Sequence, residues 1–301
     1  MTLAQANSLA AAALPRFPSQ RERLSRTMGF MRHSRAWIGA AKTPRRARIA
    51  RQASLTWKWG DKLGEGSFKE AYMAKVKGTG DFYGFNPGEK LVLKFIKTKK
   101  YNSGVRITEK DVAAQKLAQQ YAKAFNEKHR PVRGKEPLDL FFRIGTLISS
   151  SKDQLDGTVR KILEDELMMV EIPIYGEFKK FNSNTGWSSG EGNLPGAFSR
   201  WTWVESNGKH LICDLQGHRG LPGGIKTTDG SSNYYAFSDP AVLSKVSGSY
   251  GPADLGEEGQ KTWFSHHVCN DFCKSLGLEG KVPKCQAHHA RQIHTVYRPI
   301  R

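Results

Sequence analysis

The segment "SHHVCNDFCKSLGL" (265–278) places three metal-capable side chains within seven positions. His267, Cys269 and Cys273 read as H-x-C-x3-C on a stretch of helical character, with Leu276 and Leu278 continuing an apolar face. Zinc that holds a fold together takes four nitrogen or sulfur donors in a tetrahedron. Three are evident here, and the fourth must come from elsewhere in the chain.

A second group suits phosphate chemistry. In "LGEGSFKEAY", Gly64 and Gly66 let the backbone approach a ligand closely or turn with positive φ. Downstream, "LVLKFIK" sets Lys94 inside an apolar strand, where an ammonium needs a counter-charge. A glycine loop followed by a strand lysine is the order in which kinases hold ATP. The H-R-D and D-F-G signatures of protein kinases are absent from the sequence. Instead, "DLQG" (214–217) ends an apolar strand and "SDP" follows at 238–240. Carboxylates and an amide in such loops are the hard oxygen donors that a magnesium–nucleotide site uses. In that reading Asp214 takes a hydroxyl proton, with Gln216 and Asp239 on the metal, although both sequences are also common in ordinary turns.

These residues need elements to carry them. "SLTWKWGDKLGEGSFKEAYMAKVKG" alternates as two strands about a glycine turn, and "EKLVLKFIK" reads as a third strand buried on both faces. "TEKDVAAQKLAQQYAKAFNEKH" is the clearest helix. Thr108 and Asp111 have capping-box spacing, and Ala113, Leu117, Tyr121 and Phe125 recur on one face. "PLDLFFRIGTLIS", "DELMMVEIPIYGEFKKF" and "HLICDLQGHRG" return to strand character, with polar, glycine-rich loops at 182–196 and 218–237. This order predicts an α+β, two-lobed architecture rather than a doubly wound sheet.

At 301 residues and 38% hydrophobic, the chain can fill one large or two small cores. No apolar run is long enough to span a membrane. Four cysteines without a secretory leader favour a reducing, cytoplasmic setting. Of the net charge of +19, residues 1–60 supply +11, from twelve Lys/Arg against Glu22. Residues 1–52 therefore read as a basic extension, 53–280 as the folded domain with its lobes dividing near 170, and 281–301 as a basic tail. The extension suits contact with polyanions, or a mitochondrial transit peptide.

Taken in order, these pieces resemble the alpha-kinase family, which includes the myosin heavy-chain kinases, the kinase of elongation factor 2 and the kinases fused to melastatin channels. The matching stretches are "GEGSFKEAY", "VLKFIK", "DVAAQKLAQQYAKAFN", "VEIPIYGEFKKFNSNTGW", "AFSRWTWVES", "DLQG", "SDP", "GPADLG" and "HHVCNDFCKSLGL". The resemblance implies a kinase-like two-lobed fold with a strand-rich N-lobe carrying one long helix. It also implies transfer of the ATP γ-phosphoryl group to Ser/Thr hydroxyls of a protein substrate. Carried over, Lys94 holds the phosphates, Glu171 sits at the adenine-side hinge and Asn184 helps to bind phosphate. Asp214 is the catalytic carboxylate, Gln216 and Asp239 are Mg²⁺ ligands, and Gly251 and Gly256 bound a glycine-rich loop near the substrate. His267, Cys269 and Cys273 are three ligands of a structural zinc.

Four departures stand out. The segment from Asp214 to Asp239 is longer than usual, and "RGLPGGIKTTDGSSNYYA" is expected to bulge outward as a loop. Ser238 replaces a threonine. Asp254 replaces an asparagine and puts a negative charge in the glycine-rich loop. Arg200 stands where the family has its fourth zinc ligand, a histidine, and guanidinium has no lone pair to give. Three outcomes follow: His266, Cys285, His288 or His289 completes the zinc; water completes a three-ligand site; or the metal is lost and the cluster is packed. The principal reading is an active kinase. The alternative is a catalytically silent binding module with the same fold, and a nucleic-acid-binding zinc protein is a third.

Overall fold

In the computed structural model, the described residues are 53–57, 61–129, 139–150, 155–157, 163, 165–220 and 234–282. The extension 1–52, the tail beyond 282 with Cys285, His288 and His289, and the segment 221–233 lie outside the described residues.

The N-terminal lobe is a mostly antiparallel sheet. Its first strands are β1 (Ser54–Trp57), β2 (Lys62–Glu65), β3 (Lys69–Lys77) and β4 (Lys90–Ile96). The stretch expected to supply two strands thus supplies three. A short helix α1 (Thr98–Asn102) leads into α2 (Glu109–Lys128), and β5 (Asp139–Phe142), β6 (Thr146–Ser149), β7 (Leu155–Gly157) and β8 (Leu167–Glu171) follow. The sheet order is β6-β8-β4-β3-β1-β7, with β2 paired to β3. Central β4 is bonded on both sides, Lys94 lying across from Ala71 and from Met169. Strand alternation then divides its side chains. Leu91, Leu93 and Phe95 enter a core with Leu55, Tyr72 and Val170, while Val92 and Lys94 face the cleft between the lobes.

The C-terminal lobe contains β9 (Lys179–Lys180), α3 (Asn193–Glu205), β10 (Leu211–Cys213), β11 (Gln216–Gly220), β12 (Tyr234–Ser238), β13 (Ala241–Leu243), α4 (Gly256–His266) and α5 (Asp271–Ser275). β5 joins this lobe in a four-stranded sheet of order β5-β12-β11-β9, and β10 pairs with β13. The polar segment 218–237, expected as a loop, begins and ends as strand. Gln216 to Gly220 and Tyr234 to Ser238 pair in a five-rung antiparallel ribbon. Aromatic side chains explain the difference: Tyr235 stacks on Phe237 and meets Phe181 edge-on, burying a face that composition alone disguises. Helix α3 likewise begins inside the expected 182–196 loop.

Helix α2 links the lobes. Its capping box is present: Lys110 N donates to Thr108 Oγ1 and Thr108 N donates to the Asp111 carboxylate. Phe125 is buried as expected, but ahead of it the buried face is turned by one residue from the expected one. Ala114, Ala118, Ala122 and Phe125 are buried, whereas Ala113 is exposed and Leu117 and Tyr121 are half-buried. The small alanines allow close packing on the core around Phe198 and Trp201. Polar residues on α2 meet the backbone of β5. Phe142 N donates to Gln119 at 2.6 Å, and Asn126 both donates to and accepts from the Leu140 backbone.

Thr108→Ala removes the side-chain half of the cap, which typically costs about 1 kcal/mol. For a domain of this size a melting temperature lower by roughly 2–4 °C is expected in calorimetry.

Candidate active site

The lobes enclose a cleft of about 680 Å³. The hairpin between β2 and β3 forms its roof, with Gly64 and Gly66 in the wall and the turn closed by Gly66 N donating to the Lys69 carbonyl at 2.9 Å. Nothing crowds either glycine, so each leaves backbone open to the cleft.

At the back, Lys94 is buried and surrounded by oxygen. Its Nζ is 2.7 Å from Glu171 Oε2, 2.9 Å from Asp239 Oδ2 and 2.5 Å from Ser238 Oγ. Ser238 in turn donates to Glu171 Oε2 at 2.6 Å, closing a ring of three side chains. Burial presses the ammonium pKa down, but Asp239 and Glu171 outweigh it and hold Lys94 above its ordinary value. It is a permanent cation. Lys69 is similar, 2.9 Å from Asp111 and 3.3 Å from Asp239. Asp239 thus lies between two ammonium groups. Burial alone would raise its pKa, but the two lysines hold it well below the carboxylate range.

Helix α2 sets this network with two residues one turn apart. Asp111 grips Lys69. Gln115, fully buried, donates from Nε2 to Glu171 Oε1 at 2.6 Å, while its Oε1 accepts from Gly145 N at 2.8 Å. The backbone donor fixes which way the amide points, so the Gln115 amino group must face the carboxylate.

Asp214 and Asp239 occupy equivalent kinks. Asp214 joins β10 to β11, and Asp239 joins β12 to β13. Both are left-handed, at φ 57° and 49°. Such backbone costs a non-glycine residue roughly 1–3 kcal/mol and persists where surrounding structure imposes it. Here two ladders impose it: Cys213 is paired with Ala241 on one side, and Gln216 with Ser238 on the other. Asp214 Oδ1 meets Lys180 Nζ at 2.7 Å. Burial raises its pKa, and Lys180 offsets only part of that shift.

Of the residues singled out from sequence, Gly64, Gly66, Lys94, Glu171, Asn184, Asp214, Gln216 and Asp239 all line this one cleft. Asn184 donates to the Ala253 carbonyl at 3.3 Å and so ties two loops together. Gly251 and Gly256 are not in the wall, where Tyr250, Pro252 and Ala253 stand instead. The two glycines shape the loop, at φ 92° and 68°. Asp254 puts no charge into the cleft. Its buried carboxylate accepts from Ser244 N and Oγ, Tyr250 N and Gly256 N within its own loop. Lys69, Asp111, Gln115, Lys180 and Ser238 were not singled out for the site. Of these, Ser238 carried a sequence signal as the residue preceding Asp239, and Asp111 one only for the helix cap.

The family model that matches residues 64–273 is that of the alpha-kinase family. The chain belongs to the alpha-kinase family. This alpha-kinase chain is 36% identical over 139 residues to alpha-protein kinase vwkA of Dictyostelium discoideum, covering 44% of this chain and 20% of that protein. It is 27% identical over 224 residues to alpha-protein kinase 1 of the same organism, covering 73% and 14%. The chain therefore spans a fifth or less of these curated relatives. Its fold matches the alpha-kinase domain of myosin-II heavy chain kinase A in complex with AMP-PNP, with a TM-score of 0.57 at 21% identity, covering 79% of this chain and 98% of that one. Among the described residues, no helix is long and apolar enough to cross a membrane.

The second cluster lies in the C-terminal lobe, outside the cleft wall. His267 caps α4 in extended conformation rather than continuing a helix, Cys269 is in the link, and Cys273 is on α5. His267 Nε2 is 3.5 Å from Cys273 Sγ, and its ring stacks on Trp263. Burial, then the Arg200 charge, pushes the His267 pKa down to about 4, so the ring is neutral at pH 7. Among the described residues, no three His, Cys, Asp or Glu side chains form a group able to hold a metal. Exposed His266 turns to the Thr262 carbonyl at 2.9 Å. The donor set for zinc is thus incomplete among the described residues.

Burying Asp214 disfavours its charged form, so the folded pKa exceeds the unfolded value of 3.8. The resulting penalty is absent below that value and present once pH exceeds the folded pKa. Asp214→Asn is therefore expected to melt higher than wild type at pH 7, with the gain vanishing as melts are repeated toward pH 4.

Proposed function

We infer that this domain is an ATP-dependent protein serine/threonine kinase. The observation that carries the reading is the buried Lys94 and Glu171 pair at the back of a cleft. Above it is an open glycine hairpin, and at its floor are Asp214, Gln216 and Asp239. Phosphoryl transfer demands little covalent chemistry from a protein. It demands positioning and compensation of negative charge, which is what fixed cations beside open backbone provide.

The residues have separable tasks. Lys94, held by Glu171 and Ser238, presents a cation to the α- and β-phosphates. The apolar side chains of Leu63, Val92 and Ile172 suit a flat base toward the hinge that follows β8. Gln216 and Asp239 supply the amide and carboxylate oxygens suited to Mg²⁺, which usually takes one or two carboxylates and completes its shell from phosphates and water. That ion supplies charge neutralisation to the transferring group. Asp239 is shared by two lysines, and a metal held there would replace one of those contacts. Asp214, with Lys180 beside it, stands where a Ser or Thr hydroxyl can give up its proton. Protein substrates, and polyanion contact through residues 1–52, are carried here from the family resemblance and from the charge of the extension.

Transfer of the γ-phosphoryl group from ATP to a generic basic protein tests the assignment. Lys94→Ala is expected to lower turnover by about 10²–10³-fold or more, the scale for loss of a preorganised charge stabiliser, and to weaken nucleotide binding in calorimetric titration. Asp239→Asn is expected to raise the Mg²⁺ concentration needed for half-maximal rate. Wild-type protein that binds ATP and transfers no phosphate to any Ser/Thr acceptor would overturn the kinase reading.

A further inference from the structure

Three segments meet within the C-terminal lobe: α3, the end of α4, and the chain leaving α5. Arg200 lies at their junction. It is 4% exposed, yet it sits in no ion pair among the described residues. Its Nε donates to the Leu278 carbonyl and an Nη donates to the Lys281 carbonyl, both at 2.9 Å. Its Cζ lies 5.6 Å from the centre of the Phe264 ring on α4, within range of a cation–π contact. The planar fork thus joins α3 to two carbonyls beyond α5 and to an aromatic on α4. Lysine, with a single point charge, cannot make that set.

The three donors nearby do not use Arg200, and it cannot join them, because a guanidinium offers no lone pair. Swinging Arg200 away to admit a further donor would strip its own N–H groups from the Leu278 and Lys281 carbonyls.

We propose that Arg200 is a metal-free clasp: it ties α3 to the segment after α5 by side-chain-to-carbonyl bonds and to α4 by its contact with the Phe264 ring, and this domain binds no structural zinc. His267 and Cys273 then act as packed residues, one stacked on Trp263 and the other in the core beside Phe198 and Trp201. The clasp is independent of whether the cleft transfers phosphate.

The test uses the full chain, purified without chelator. Elemental analysis is expected to find well under one zinc per chain, and a zinc titration is expected to show no tight site. A ligand bound only by the folded state would raise its melting temperature, so a strong chelator should leave the melt unchanged. One tightly bound zinc per chain, or a melt lowered by the chelator, overturns the proposal. Arg200→Ala is expected to lower the melting temperature by several degrees, and Arg200→Lys to recover only part of the loss. An Arg200→Ala protein as stable as wild type would show that there is no clasp. If that variant does not fold, the lysine variant and the wild-type zinc content still decide the matter.

Discussion

A buried ammonium is the constraint on which the rest of the site depends. Lys94 sits in the central strand of the N-terminal sheet, and an unpaired charge there would cost several kcal/mol. Its partners come from far along the chain: Glu171 from the neighbouring strand, Ser238 and Asp239 from the other lobe. Satisfying one lysine therefore brings the two lobes together. Lys69 and Asp111 repeat the arrangement one layer out, sharing Asp239. Helix α2 supports both layers from a single face, Asp111 on one lysine and Gln115 on the carboxylate that holds the other.

The floor of the cleft follows from backbone rather than charge. Two ladders meet at Asp214 and Asp239, and each chain changes ladder through a left-handed residue. Aspartate tolerates that conformation better than most side chains. The same kinks turn both carboxylates into the cleft, so local strain and functional geometry have one origin. The ribbon of β11 and β12 leaves from between them, which pins Gln216 opposite Ser238 however long the segment beyond grows.

Lys94 was legible in the sequence because a lysine amid Leu, Val, Phe and Ile contradicts its surroundings. The capping box of α2 was legible because its parts are three residues apart. Gln115 and Lys69 look ordinary in their own segments. Their meaning comes from pairings such as Gln115 with Glu171, fifty-six positions away, and Lys69 with Asp239, one hundred and seventy away. Ahead of Phe125, the buried face of α2 lies one residue away from the local apolar signal for a related reason. Leu117 and Tyr121 carry the stronger local signal, but close packing on Phe198 and Trp201 favours alanine. At Arg200 the family resemblance implied only that the usual zinc donor was replaced. Only the structure shows Leu278 and Lys281 taking up the guanidinium.

The central claim is that the Lys94 network is a preformed cradle for nucleotide phosphates, with Asp239 as the member that exchanges partners. A crystal structure with a non-hydrolysable ATP analogue and Mn²⁺, located by its anomalous signal, tests it most directly. The account predicts the metal on Asp239 and Gln216, and Lys94 on phosphate oxygen with its Glu171 contact kept. An analogue bound elsewhere, with Asp239 still held between Lys69 and Lys94 and no metal beside it, would contradict it.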